Sequence, residues 1–279
     1  MDPETVSDPR PNREAVIRRE LEWHEHSAAQ RYSLDEFLYA PPAFDEVIDP
    51  GLRFLCPQSG DSVLDLGCGE GKETRHLMQL GLSVVSLDLS HAQLARARQR
   101  VSSGPAGRSL RFVQANAEEL PFLAGQFDLV YGKAILHHLD VGLAAAEIFR
   151  LLKPGGRAVF AEPLAYHPLI WGGRHLTPHF RTRDEHPVTL SELRRFGREF
   201  SSWKTEVFYM LAPGAYIFRL VPGGNRWFQR AHVWLHRLDQ QLWQGLSWLK
   251  RFAWYGLVAV CKDDGTSVLR AVDRVSHSQ

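Results

Sequence analysis

Cysteine is scarce: Cys56, Cys68 and Cys261 are the only three in 279 residues, and an odd, widely spaced set builds neither a disulfide framework nor a zinc site. A reducing compartment follows. Net charge is nearly absent, since 33 Lys and Arg face 32 Asp and Glu for a balance of +1, so the whole chain has no electrostatic pull toward a polyanion. Nucleic acid is disfavoured as a substrate. No apolar run approaches the ~18 residues of a spanning helix, and the opening MDPETVSDPRPNRE is polar and acidic where a secretory signal is basic and then apolar. A cytoplasmic protein is expected. Repeats, low-complexity tracts and metal-ligand spacings of the zinc or calcium kind are missing too, and no metal is expected. What is left is ordinary for a globular chain, 44% hydrophobic and 23% charged, with the length of one α/β domain plus additions.

The dinucleotide fingerprint G-x-G-x-x-G is also missing, and what stands in its place is informative. Val63-Leu64-Asp65-Leu66 is a short apolar run ending in Gly67-Cys68-Gly69-Glu70-Gly71-Lys72, after which a helical pattern begins. Strand, glycine loop and helix start make a cradle for a ligand, because glycine lets backbone N–H groups approach closely and the helix adds its positive end. With glycines at 67, 69 and 71 and an acid at Asp65, the spacing favours an adenosyl ligand that lacks a pyrophosphate. A nicotinamide oxidoreductase is the rival that this spacing disfavours.

Four segments follow one another in order: VLDLGCGEG, then VVSLDLS, then QANAEELPF with FDLVYGKAILHHL, then LLKPGGRAVF. Together, over Ser62 to Glu162, they resemble a class I S-adenosylmethionine (SAM) dependent methyltransferase of the small-molecule, type 11/25-like branch. The resemblance implies a Rossmann-like sheet of seven mostly parallel strands with helices on both faces and an antiparallel last strand. It also implies SAM as cofactor, with S-adenosylhomocysteine as product. Asp88, some 20 residues past the glycine loop, would accept the ribose hydroxyls, with Leu89 beside adenine. Asp65 would lie near the amino-acid end, and Gly67, Cys68 and Gly69 of the loop would also bind the cofactor. Asn116 stands where the family commonly has Asp, and its amide with the Ala117 N–H would serve the adenine edge. Gly132 would use its backbone near the methionyl amine, with Lys133 beside it.

Methyl transfer from a sulfonium is an in-line displacement that chiefly needs alignment and exclusion of water. A base matters only for a protonated nucleophile. His137 and His138 follow the fourth strand pattern, and imidazole is the side chain suited to proton transfer near neutral pH, which makes them the candidate bases, with Glu162 at the end of the fifth strand and His167 behind them.

Alternating strand and helix patterns predict strands over 62–66, 83–88, 110–114, 127–131 and 156–161, with helices over 72–80, 91–102 and 141–152. Lys153-Pro154-Gly155-Gly156 is a helix stop and turn with no role toward ligand. Around this core the expected organisation is a disordered leader at 1–12, an N-terminal helical cover at 13–50, a methyltransferase domain at 51–265 and a tail at 266–279. In the cover, Trp23, His24, Tyr32 and Tyr39 either line the pocket or fill a core. Within the domain, 163–188 is irregular and serves as a substrate loop, Thr189 to Phe200 is a capped helix, and 204–211 is a strand. Trp254 to Cys261 is the antiparallel closing strand, which leaves 212–253 as a helical lid insertion.

That insertion holds the one long amphipathic pattern, Asn225 to Lys250, with Trp227, Trp234, Leu235, Leu238, Leu242 and Leu249 on the predicted apolar stripe. A lid over an apolar substrate is the expected role. A dimer seam or peripheral membrane contact through 225–250 are the alternatives, the latter weakened by Asp239 and glutamines that dilute the arginines. The expected partner is a small-molecule acceptor with apolar bulk, for a monomer or homodimer. A membrane-resident lipid or quinol acceptor, and a non-catalytic partner subunit, stand as alternative functions.

Overall fold

A computed structural model describes residues 13–27, 45–101, 109–169, 171–172 and 185–263. The expected leader and tail, Tyr32, Tyr39 and most of the substrate loop lie outside the described residues. The elements run α1 (Arg13–Ser27), α2 (Asp45–Leu55), β1 (Ser62–Leu66), α3 (Lys72–Gln79), β2 (Ser83–Asp88), α4 (His91–Val101), β3 (Leu110–Gln114) and β4 (Phe127–Lys133). A 3-10 turn (Leu136–His138) leads into α5 (Val141–Leu151), β5 (Leu152–Pro163), α6 (Leu190–Arg198) and β6 (Ser202–Phe208). The insertion follows as a 3-10 segment (Ala212–Leu220), α7 (Asn225–Gly245) and a second 3-10 segment (Ser247–Phe252) before β7 (Tyr255–Cys261).

The seven strands form one sheet in the order β3-β2-β1-β4-β5-β7-β6. Pairing is parallel from β3 to β5, while β7 runs antiparallel to both of its neighbours. Side chains alternate between the faces, as a pleated strand requires. Leu64, Val130, Phe160 and Val258 meet Ile148 of α5 and Phe196 of α6 on one side. Val63, Leu129, Val159 and Leu257 meet Phe54 and Leu55 of α2 and Leu77 of α3 on the other. Both faces are covered, which is why the central strands read as nearly continuous apolar runs.

The helix α2 crosses the expected boundary at 50/51 in spite of Pro50 within it. The Pro-Gly-Gly stop after α5 is a bulge in β5, for Phe127 pairs Leu152 but Leu129 already pairs Arg157. The strand expected over 204–211 ends at Phe208: Tyr209 turns to a φ of 63°, and the next three N–H groups bend away to Asp239. The helix expected through Lys250 stops at Gly245.

Candidate functional site

The carboxyl ends of β1, β2, β4 and β5 open on one edge of the sheet, where open α/β folds hold ligands. On β1, Asp65 is buried and accepts the Thr74 hydroxyl of α3 at 2.5 Å. Burial pushes its carboxyl up to about 7, and the nearby charges of Glu73 and Asp88 act in the same direction. Asp65 therefore braces the loop against α3. A Cβ on Gly67 would strike the Ile135 side chain at 2.7 Å and one on Gly71 would strike Ala97 at 2.8 Å, whereas one on Gly69 would meet nothing within 4 Å. Gly69, with φ +50°, is the glycine that leaves room for a ligand. Cys68 is buried, with its thiol pushed up, chiefly by burial.

Asp88 closes the loop from β2. Its Oδ2 accepts the Gly69 N–H at 2.8 Å and its Oδ1 the Ser90 N–H at 2.9 Å. Each oxygen keeps a lone pair, and burial raises the carboxyl above its ordinary range. Beside it the Leu89 carbonyl takes the Gln114 amide at 3.0 Å. At the end of β3, Asn116 Oδ1 accepts the Glu118 N–H at 3.2 Å and Ala117 is buried behind it.

One element ties these loops together from outside. From α1, Glu25 accepts the Ser90 hydroxyl at 3.0 Å and the Ala92 N–H at 3.2 Å, and Arg13 pairs with Glu118 at 2.5 Å. Glu20, on the same helix, lies 2.9 Å from His138 Nδ1. The expected helical cover thus has named anchors after β2, β3 and β4. His24 stacks edge-on to His138 at 5.3 Å, and Trp23 packs against His24.

The turn after β4 carries the histidines. Gly132 is required there because a Cβ would overlap the Phe160 ring at 2.4 Å. Lys133, expected beside Gly132 at the cofactor, pairs with Glu73 at 2.5 Å. Burial opposes ionisation of Glu73, and Lys133 outweighs it, so the carboxyl sits below its ordinary range. Glu162 is fully buried and accepts three hydrogen bonds, from the Ile135 and Leu136 N–H groups and from His137 Nδ1, each at 2.8 Å. Expected as a candidate catalytic residue, it is engaged through both oxygens, one by the backbone of the turn and one by His137. His137 Nε2 lies 4.0 Å from Glu185. Burial, with the charge of His137, lowers the His138 imidazole. His167 is buried too, its Nε2 bonded to the Met210 carbonyl at 3.0 Å.

Comparison with known proteins bears on this arrangement. Residues 64–160, from β1 to β5, match the family model of a methyltransferase domain. This is a class I SAM-dependent methyltransferase domain. An uncharacterized methyltransferase of Synechocystis sp. is 38% identical over 43% of this chain and 54% of its own length. A malonyl-[acyl-carrier protein] O-methyltransferase of Enterobacter lignolyticus is 32% identical over 62% of this chain and 64% of its own. The chain spans about half the length of the curated relatives it matches. A phosphoethanolamine N-methyltransferase 2 of Haemonchus contortus, solved with phosphomonomethylethanolamine and S-adenosylhomocysteine, shares the fold at TM-score 0.61 and 19% identity. That likeness covers 86% of this chain and 60% of the other.

The parts that sequence reasoning missed all come from outside the methyltransferase domain's motifs. Glu20, Glu25 and Glu185 reach it from α1 and from the far side of the substrate loop. Two groups of side chains there, Glu20 with His24 and His138, and His137 with His138 and Glu185, have ligand atoms within 4.8 Å of one another. No spacing along the chain signals them. The insertion enters the same edge of the domain, joining the end of β6 to the start of β7. Its buried face is Phe228, His232, Asp239 and Trp243. The predicted stripe is rotated: Trp227 and Trp234 are exposed.

Proposed function

We propose that this protein transfers a methyl group from SAM to a small-molecule acceptor with apolar bulk. The observation that carries this is the cradle of Gly69 and Asp88, where open space above a glycine meets a carboxylate oxygen pair with lone pairs to spare. Asp88 would accept the ribose hydroxyls, Leu89 would pack on adenine, and Asn116 and Ala117 would serve its edge through the remaining amide lone pair and the N–H. Gly67, Cys68 and Gly132 shape the wall at the amino-acid end. SAM supplies an electrophilic methyl on its sulfonium.

The chain's own residues then align and protect. Helix α1 spans the loops that would hold the cofactor, which keeps water from the reacting centre. Glu162 holds His137 Nδ1, so the proton sits there and Nε2 is left to take one from a hydroxyl, thiol or acidic carbon. His138, lowered by burial and tied to Glu20, belongs to the closure of α1 over the site.

Isothermal calorimetry with S-adenosylhomocysteine and with NAD tests the cofactor. Release of S-adenosylhomocysteine against a panel of carboxylic acids, phenols, quinols and isoprenoids tests the acceptor. Binding of NAD without S-adenosylhomocysteine would sink the proposal.

A further inference from the structure

The insertion carries a surface for which methyl transfer has no use. We infer that the outer face of residues 212–252 docks in the plane of an anionic lipid bilayer.

Charge is the first observation. This segment contains six cations (Arg219, Arg226, Arg230, Arg237, Lys250 and Arg251) and a single acid, Asp239. Asp239 is completely buried, its carboxylate accepting the N–H groups of Met210, Leu211 and Ala212. The acid is therefore spent inside, and the outer surface of the insertion is purely cationic. A negative surface complements it.

Aromatic exposure is the second. Trp227, Trp234 and Trp248 are 54%, 63% and 55% exposed. Trp227 and Trp234 are seven residues apart and so lie one above the other on α7. On the wheel of 3.6 residues per turn, Arg226, Arg230 and Arg237 form the neighbouring strip, with the Arg230 guanidinium 6.0 Å from the Trp227 ring. Amphipathic rings beside basic side chains suit the headgroup level.

The third is aliphatic. Ile217, Leu220 and Val221, at the turn into α7, are 64%, 73% and 60% exposed. Stacking on nucleic-acid bases has no use for them, whereas acyl chains do. A second copy docked face to face would set one arginine strip against its own image. Among the described residues no helix is long and apolar enough to cross a membrane, so the contact lies in the plane. Because the insertion joins β6 to β7 at the carboxyl edge of the sheet, a docked bilayer adjoins the candidate site. That an acceptor enters from the bilayer rests on the proposed function; the docking does not.

The test uses the full chain without SAM or acceptor. It is sedimented with vesicles of phosphatidylcholine alone or mixed with phosphatidylglycerol. Binding should rise with the anionic fraction and fall with salt. Replacing Arg226, Arg230 and Arg237 by Gln should weaken it about 100-fold, at about fivefold per charge. Trp227→Ser with Trp234→Ser should weaken it by about tenfold or more. Both variants should melt with the parent, since these side chains are exposed. No binding by the parent overturns the inference, as does binding that either variant retains in full. Parent protein that instead self-associates or is retained on single-stranded RNA, with no affinity for vesicles, overturns it as well.

Discussion

Replacing Glu162 should separate its two duties. The side chain is fully buried and makes three hydrogen bonds of 2.8 Å, two to backbone N–H groups of the turn after β4 and one to His137 Nδ1. Glu162→Ala leaves the Ile135 and Leu136 donors unsatisfied in the core, each at a cost of about 1–3 kcal/mol, so a loss of roughly 3–5 kcal/mol is expected. Glu162→Gln is the sharper variant. Its amide oxygen still accepts both N–H groups, which holds the fold to within about 1 kcal/mol of the parent. Its NH2, however, now faces Nδ1 as a donor, which drives the His137 proton to Nε2 and removes the lone pair that would accept a proton from substrate. Urea midpoints should place Gln near the parent and Ala well below it. S-adenosylhomocysteine affinity by calorimetry should be unchanged in Gln. Turnover on an acceptor with an ionisable hydroxyl should fall on the order of 10². A Gln variant with parental turnover would refute the base, and an Ala variant as stable as the parent would refute the brace.

Further expectations concern the cradle and the turn. Asp88→Ala should weaken SAM binding by roughly 1.5–3 kcal/mol with the fold intact, read by calorimetry; unchanged affinity would take Asp88 out of the site. Asp65 holds its proton to about pH 7 when folded but only to about 3.9 unfolded. The native state then binds the extra proton between these values, so its contribution to stability is full below about pH 4 and is lost as pH rises to 7, on the order of 4 kcal/mol. Asp65→Asn should remove that slope from the melting temperature, and an identical slope would assign it to other groups. Gly132→Ala should destabilise by about 2 kcal/mol or more through the Phe160 ring, and Phe160→Leu in the same chain should recover most of the loss; no recovery would place the strain elsewhere. Dialysis against a chelator should leave melting and turnover unchanged, for Glu20 and His138 already pair at 2.9 Å. A loss restored by zinc would assign these residues to a metal.

The core was legible because it is written locally. Strands β1, β2 and β3 match their expected limits, since each apolar run is bounded by glycine, serine or acids that end it; β1 is buried along nearly its whole length, while β3, at one edge of the sheet, is only partly covered. The capping box at Thr189 and Glu192 is present as its spacing predicted. At the sheet's edge, β6 was misplaced by two to three residues. It pairs on one side only, so polar residues such as Ser202 and Lys204 belong to it and blur its start. Its end depends on Asp239, which lies 29 residues from Met210 in sequence. The site divides in the same way. Gly69 and Asp88 were visible because loop and acid keep a fixed spacing in this fold. By contrast, Glu20 with His138 and Glu25 with Ser90 join positions more than 60 apart, and no period records such a meeting.

Asp239 shows how a charge can be counted correctly and still mislead. In sequence it dilutes a basic helix face. Yet Phe228, His232, Asp239 and Trp243 recur at four, seven and four, a spacing that keeps them on one side of a helix. That side carries two ring systems, an imidazole and an acid, while the tryptophans at 227 and 234 form a stripe of their own; apolar character alone favoured the tryptophans. What decided the rotation was demand from elsewhere: three N–H groups leaving β6 need an acceptor, and a buried carboxylate at Asp239 provides it. With the acid drawn in to satisfy the backbone, the tryptophans and arginines were turned out together. The face that emerges owes its single sign of charge to a hydrogen-bonding need in the interior.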